Sequence, residues 1–187
     1  MPLVAGTLGI VLVRRETSAD VGSIARVHRS AFADIAAAEG LPEPIEPALV
    51  DELRANESWI PELSFVAESD GEVAGHVCLT RASVSGGARG GPIVQLGPIG
   101  VDAPLWRRGV GSALMHAALG AADAMDFGAV VLVGHRDYYP RFGFVPGDDV
   151  GLKPDVADWA PAFQVRPLTR FAPANATVRA PEPFYRF

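Results

Sequence analysis

The spacing of apolar and polar positions changes period several times along the chain. An early block, "GIVLVRRE" (residues 9–16), is rich in β-branched residues and ends in charge, which predicts a strand. In "TSADVGSIARVHRSAF" the period lengthens. Val21, Ile24, Ala25, His28, Ala31 and Phe32 recur at helical spacing, with Thr17 as a cap and Asp20 three residues on. A proline-rich loop, "AAAEGLPEPIEP", separates this helix from a shorter one that carries Leu49, Val50 and Leu53 on one side. Two alternating segments then flank Asp70-Gly71, a hairpin signal, and a glycine loop, "SGGARGG", leads into a strand over Ile93–Val101. Gly97-Pro98 interrupts that strand. Proline removes a ladder hydrogen bond, so a bulge or splay is expected there. A helix from about residue 109 to 125 follows, then a short apolar strand, "GAVVLVG". After "HRDYYPRFGFVPG" the chain is punctuated by proline, with short apolar pieces at residues 163–168 and 176–178.

The resulting order is β, α, α, β, β, β, α, β, then mixed, which predicts an α/β layered fold with both antiparallel and parallel pairing. No internal repeat or linker divides the 187 residues, so one domain over 1–187 is expected, with a core at about 11–168 and a C-terminal extension at about 169–187. Hydrophobic residues at 49% and charged ones at 20% fit a soluble globular chain rather than a disordered one. A net charge of -6 argues against a nucleic-acid partner, although "WRRG" offers a local basic patch. The single cysteine, Cys78, forms no intramolecular disulfide and points to a reducing compartment. The apolar start has no basic region ahead of it and is too short to span a bilayer. Cytoplasmic location without a membrane partner is the expectation.

The stretch "LWRRGVGS" (residues 105–112) lies between a strand and a helix. Glycine in a first helical turn gives up about 1 kcal/mol relative to alanine, so bare backbone must be of use there. The first amides of a helix have no internal partner and favour negative charge, and Gly109 and Gly111 carry no side chain that would hold a phosphate away. Arg107 and Arg108 add positive charge at the rim. A pyrophosphate fits such a turn; close packing of helix on strand is the alternative use of the glycines. A dinucleotide fingerprint fails because its third glycine position is Leu114, and a Walker A pattern fails because the chain has no Gly-Lys pair.

Taken in order, "LGPIGV", "WRRGVG", "SALMHAALGAA", "AVVLVG" and "YYPRFGF" resemble the GNAT superfamily of acetyl-CoA-dependent N-acetyltransferases. Its pattern is a splayed strand, a Q/R-x-x-G-x-G/A turn, a helix, a further strand and an aromatic-Tyr-x-x-aromatic-Gly-Phe stretch. "GHRDYYPRFGF" together with "DGEVAGHV" is similar to a branch of predicted bacterial N-acetyltransferases. The resemblance runs over about residues 11–145 and more loosely to 168. It implies a mixed central sheet splayed at Ile93–Val101 and flanked by helices. It also implies acetyl-CoA as co-substrate, with the pantetheine arm pairing with backbone of Ile99 and Val101 beside Gly100. The pyrophosphate would lie at Arg107, Arg108, Gly109, Val110, Gly111 and Ser112. The first motif position, usually Gln or Arg, is Trp106 here; packing against the helix start is its expected role.

The implied reaction is direct attack of a primary amine, on a small molecule or a peptide, on the acetyl thioester. It needs a held cofactor, a stabilised oxyanion and the management of two protons. Tyr139 matches the family tyrosine that protonates the departing thiolate, with Tyr138 as the fallback; packing is the alternative for both. Candidates for the base are Gln95, Asp102, Glu52, His76 and His135, none preferred. His76 and Cys78 alternate on one strand face but supply too few ligands for a metal. "AEGLPEPIEP" and the helix with Asp51 and Glu52 are expected walls of the acceptor site. A non-catalytic acyl-CoA-binding module is the rival reading, and a nucleotide-dependent enzyme a weaker one. Whether the chain forms a homodimer, and what the C-terminal tail does, stay open at this level.

Overall fold

The computed structural model describes residues 11–86, 90–172 and 175–187. The parts of "GIVLVRRE", "SGGARGG" and the C-terminal tail outside those ranges lie beyond the described residues. The strands are β1 (Val11–Arg15), β2 (Trp59–Ser69), β3 (Glu72–Arg81), β4 (Ser83–Gly86), β5 (Ile93–Val101), β6 (Ala129–Val133), β7 (Val145–Pro146), β8 (Leu152–Pro154), β9 (Phe163–Pro167) and β10 (Ala176–Arg179). The helices are α1 (Val21–Ala38), α2 (Glu46–Arg54) and α3 (Val110–Ala124), with short 3-10 turns between elements.

Seven strands make a mixed sheet in the order β1-β2-β3-β5-β6-β9-β7, and β4-β10-β8 make a second, smaller sheet. Asp70 and Gly71 both take positive φ, the geometry of a tight two-residue hairpin turn, and β2 and β3 pair antiparallel on either side of it. Their expected alternation is absent. From Val73 to Thr80 every side chain of β3 is buried, because helices cover both faces of the sheet. On one face α3 packs against β1, β2, β3 and β5, with Val110, Leu114, Met115 and Ala118 turned into the main core. On the other face α1 and α2 lie together, α1 over β3 and β5, burying Ile24, Val27, Val50 and Leu53.

Helix α1 begins as its sequence predicts, after a 3-10 turn in which Thr17 and Asp20 form a capping box. It runs past Phe32 to Ala38, so the proline-rich loop is shorter than its composition suggested, and α2 begins at Glu46. Beyond β6 the apolar pieces expected at 163–168 and 176–178 are strands β9 and β10, and the short strands β7 and β8 and several 3-10 turns lie between β6 and β10 as well. The C-terminal stretch has two roles. Its strand β10 is the middle of the small sheet, and the turn Glu182–Tyr185 reaches back to α2, where Arg186 pairs with Glu52 at 2.9 Å.

Candidate functional site

Strand β5 separates from β6 in its middle. The two pair in parallel only at Ile93↔Ala129, Val94↔Val130 and Gln95↔Val131. Past Gln95, β5 stays with β3 through Gly100 and Val101, and a one-residue register shift marks Gly97-Pro98. This is the splay that proline predicted. Antiparallel residues turn their N–H and C=O alternately toward and away from the partner strand. The Asp102 amide donates to the Ala74 carbonyl at 2.9 Å, so Asp102 and Gly100 face β3. Ile99 and Val101 therefore turn their backbone groups to the side that β6 has left.

That side is a cavity of about 1010 Å³. Its β5 wall runs from Gln95 through Pro98 to Val101, and Leu132, Val133 and Gly134 face it from β6 and the residue beyond. Toward α3 it is lined by Trp106, Arg107, Gly111, Tyr138 and Tyr139. Toward α1 and α2 it is lined by Phe32, Ile35, Glu46 and Leu49, with Trp159 and Phe184 from the C-terminal part. The cleft thus passes through the sheet, from the face that carries α3 to the face that carries α1 and α2.

The glycine turn enters α3 as expected. Gly109 is the N-cap at φ +85, a conformation that costs other residues strain, and Arg107 before it also has positive φ at 62°. The Gly109 carbonyl accepts from the Ala113 amide at 2.9 Å, the first bond of the helix. The amides of Val110, Gly111 and Ser112 precede any intrahelical acceptor and form a cluster of free donors. A Cβ on Gly111 would stand 3.2 Å from the Tyr138 hydroxyl, so glycine there lets Tyr138 lie over the turn.

Of the residues expected at the site, Ile99, Gly100, Val101, Arg107, Gly111 and Tyr139 line the cleft, and Tyr138 joins them. Arg108, Gly109, Val110 and Ser112 do not line it; they sit at the turn beside it. The Val110 side chain is in the core, which leaves only its backbone for a ligand. Trp106 is 48% exposed, and its Nε1–H donates to the Val101 carbonyl at 2.7 Å. The indole thereby ties the end of β5 to the turn before α3 and occupies one lone pair of Val101.

Tyr139 packs edge-on against Tyr138 and Phe144 and lies so close to Gly134 that a Cβ there would be 2.6 Å from its ring. Burial, followed by the neighbouring Tyr138, pushes its hydroxyl up to about 12. It is a neutral hydroxyl at every physiological pH.

The base candidates separate clearly in the fold. Asp102 is engaged by Arg26 and Ser30, and Glu52 by Arg186; Asp51, on the expected acceptor wall, is engaged by Arg54. His135 and Gln95 line the cleft. His76 is fully buried one layer behind it: its Nε2 is 3.1 Å from Glu16 Oε2 and 3.0 Å from Ser64 Oγ, and its Nδ1 is 2.9 Å from His28 Nε2. Arg54 donates to Glu16 on the outer side. Neutral rings satisfy this chain. His76 donates from Nε2 and accepts at Nδ1 from His28 Nε2–H, which leaves a lone pair on His28 Nδ1 without a partner. Burial pushes both imidazoles below their ordinary range. The Glu16 carboxyl is held down to about 2: burial opposes its ionisation, and hydrogen bonds from His76, Arg54 and Ser64 more than offset that. His28 Nδ1 points at Gly100, where a Cβ would be 2.8 Å away, so the network braces β5 at the splay.

Sequence reasoning missed Glu46. The sequence places it in the expected acceptor-wall loop, whose neighbouring helix draws attention to Asp51 and Glu52 instead. Burial raises the Glu46 carboxyl above its ordinary value, with its own amide opposing and Glu39 adding. Among the described residues no ion pair reaches it, and it lines the cleft at the α2 end, opposite Arg107. The signal that distinguishes it from Glu43 is three-dimensional; both are carboxylates in the same proline-rich run.

A parallel strand pair opened halfway, with a glycine-capped helix at its mouth, is the arrangement of an acyl-CoA N-acyltransferase fold. Residues 31–144, well over half of the chain, match the acetyltransferase (GNAT) family, and the chain belongs to it. An uncharacterised N-acetyltransferase, YjhQ of Escherichia coli strain K12, is 35% identical over 101 residues, which span 54% of this chain and 56% of that protein. The chain thus matches only a little over half the length of this curated relative. A GNAT family N-acetyltransferase, YhbS of Escherichia coli, solved in complex with CoA, is 26% identical with a TM-score of 0.78, covering 96% of this chain and 94% of that one. A GNAT family acetyltransferase from Brucella melitensis, solved in complex with acetyl-CoA, is 28% identical with a TM-score of 0.73, covering 94% and 99%. The expected mixed, splayed sheet is the observed one. No helix among the described residues is long and apolar enough to cross a membrane.

Proposed function

We propose that the chain is an acetyl-CoA-dependent N-acetyltransferase that modifies a primary amine by direct attack on the thioester. The observation that carries this reading is the open edge of β5: backbone groups of Ile99 and Val101 turned into a cleft whose mouth holds the free amides of α3. The structures of YhbS with CoA and of the Brucella protein with acetyl-CoA support it. Ile99 and Val101 act as ladder partners for the amide-bearing pantetheine arm, which lies there as an added strand. The amides of Val110, Gly111 and Ser112 receive the pyrophosphate, with Gly109 setting the turn and Arg107 and Arg108 supplying charge. Trp106 holds Val101 in place for this pairing.

Bound acetyl-CoA supplies an activated acetyl group. The amine gives up one proton to solvent before attack and a second as its nitrogen becomes the amide; the new C–N bond forms as the C–S bond breaks, and the thiolate takes a proton from the Tyr139 hydroxyl, which regains one from solvent. A pKa of about 12 makes Tyr139 an uphill donor to a thiolate of ordinary basicity, so its contribution is the positioning of one proton beside the sulfur rather than acidity. The experiment is calorimetric titration with acetyl-CoA, followed by CoA release over an amine panel. Binding with release on one class of amine is the expected result. Binding of ATP or NAD in its place, or of nothing, would overturn the cofactor assignment.

A further inference from the structure

We propose that the acceptor is a small monocationic primary amine on an aromatic or branched apolar body, and that Glu46 is the residue that receives its ammonium group as it enters, before that nitrogen releases a proton to solvent and attacks the thioester. This inference rests on the acetyltransferase reading and names the substrate class of the same cleft. The α1–α2 half of the cleft offers Phe32, Ile35, Leu49, Trp159 and Phe184, all apolar or aromatic, and one carboxylate, Glu46. Arg107 lies at the other end of the cleft, beside the turn that takes the phosphates. The charges of the cleft are therefore arranged as the two substrates require, with a cation for the anionic cofactor and an anion for the cationic amine.

The reasons for choosing Glu46 are its freedom and its place. Asp51, Glu52 and Asp102 are each held by an arginine, and Glu39, close enough to raise the Glu46 carboxyl, does not line the cleft, whereas Glu46 lines it and has no ion pair among the described residues. A half-buried carboxylate without a cation bears an uncompensated desolvation cost, which a ligand ammonium removes. Its raised carboxyl pKa is the expected mark of that state. A single anion among apolar walls favours one positive charge on a greasy body. A polyamine, whose several charges each need an anion or water, is disfavoured here.

The test uses the intact chain and 2-phenylethylamine as the probe, titrated calorimetrically with and without CoA, so that no turnover is needed. Spermidine and 2-phenylethanol are the comparisons, and Glu46→Gln is the variant. The expected result is that 2-phenylethylamine binds at least roughly tenfold more tightly than either comparison. Glu46→Gln should weaken it roughly tenfold, at unchanged thermal midpoint, and leave 2-phenylethanol as it was. Equal or tighter binding of spermidine, indifference of the probe to Glu46→Gln, or no amine binding overturns the proposal. Acetyl-CoA titrated into both proteins reads the other question. Binding in both preserves the acetyltransferase reading whatever the amines do, and absence in both removes that reading independently of Glu46.

Discussion

At the scale of single residues, Tyr139 and Gly100 carry the most testable consequences. Removing the Tyr139 hydroxyl with Tyr139→Phe should lower kcat by roughly a hundredfold, the common size of a general-acid contribution, with acetyl-CoA affinity little changed. The ring, which does the packing, is kept, so the thermal midpoint should hold. Because burial pushes this hydroxyl up to about 12, the ratio of wild-type to variant rates should stay constant from about pH 7 to 10. An ordinary tyrosine, half ionised near pH 10, would show the ratio falling there. Gly100→Ala tests the brace behind β5. The new Cβ meets His28 at 2.8 Å and Ala31 at 3.3 Å, neither of which is the loose end of a flexible chain. A loss of about 1–3 kcal/mol in urea unfolding is expected from such overpacking, and an unchanged midpoint would show that α1 yields freely.

At the scale of elements, the splay of β5 and the start of α3 were legible because each is announced by backbone chemistry. Pro98 cannot donate to a ladder, and Gly109 takes a conformation that side chains resist, so both stand out without any knowledge of neighbours. The hairpin at Asp70-Gly71 was legible for the same reason. Strands β4, β7 and β8 were not, since two to four residues are too few to establish a period. In the sequence His28 is one more position on an apolar helix face. Its burial beside His76 depends on β3, far away in sequence, and only the assembled sheet brings it together with Glu16 and His76. Glu46 was hidden in the same way. For α3 itself, Gly111→Glu places bulk against the Tyr138 hydroxyl and a negative charge among the free amides. Acetyl-CoA binding should fall below detection in calorimetry; undiminished affinity would remove the turn from the cofactor site.

At the scale of the whole molecule, the buried network ties stability to pH. His28 and His76 are neutral when folded and ordinary when unfolded, so below about pH 6.5 the unfolded chain binds protons that the folded chain refuses. Their contribution is complete above that pH and is lost as pH falls. Glu16, held down to about 2 against an ordinary 4.5, adds a second loss of the same sign between those two values. Asp20, kept low by Arg14 and Thr17, acts in the same direction. The groups facing the histidines are Glu16, Ser64 and Arg54, with Asp20 farther out, and none of them offers His28 a counter-charge. The urea midpoint should fall between pH 7.5 and 5.5 and again toward pH 3. An unchanged midpoint over the first interval would mean that the folded state accepts a proton on one of the two imidazoles.

The cleft that crosses the sheet is assembled from separate stretches of chain. On the proposed reading, the lining residues between 95 and 139 form its cofactor half, whereas those at 31–49, Trp159 and Phe184 form the other. Mutation in the second group can accumulate without touching the first. A lineage built on this plan can change what it modifies while keeping what it modifies with, and the exchange involves three short stretches: 31–49, Trp159 and the Glu182–Tyr185 turn. Grafting the 31–49 stretch, the residue at 159 and the Glu182–Tyr185 turn from one such protein to another is therefore a direct route to moving amine preference between scaffolds.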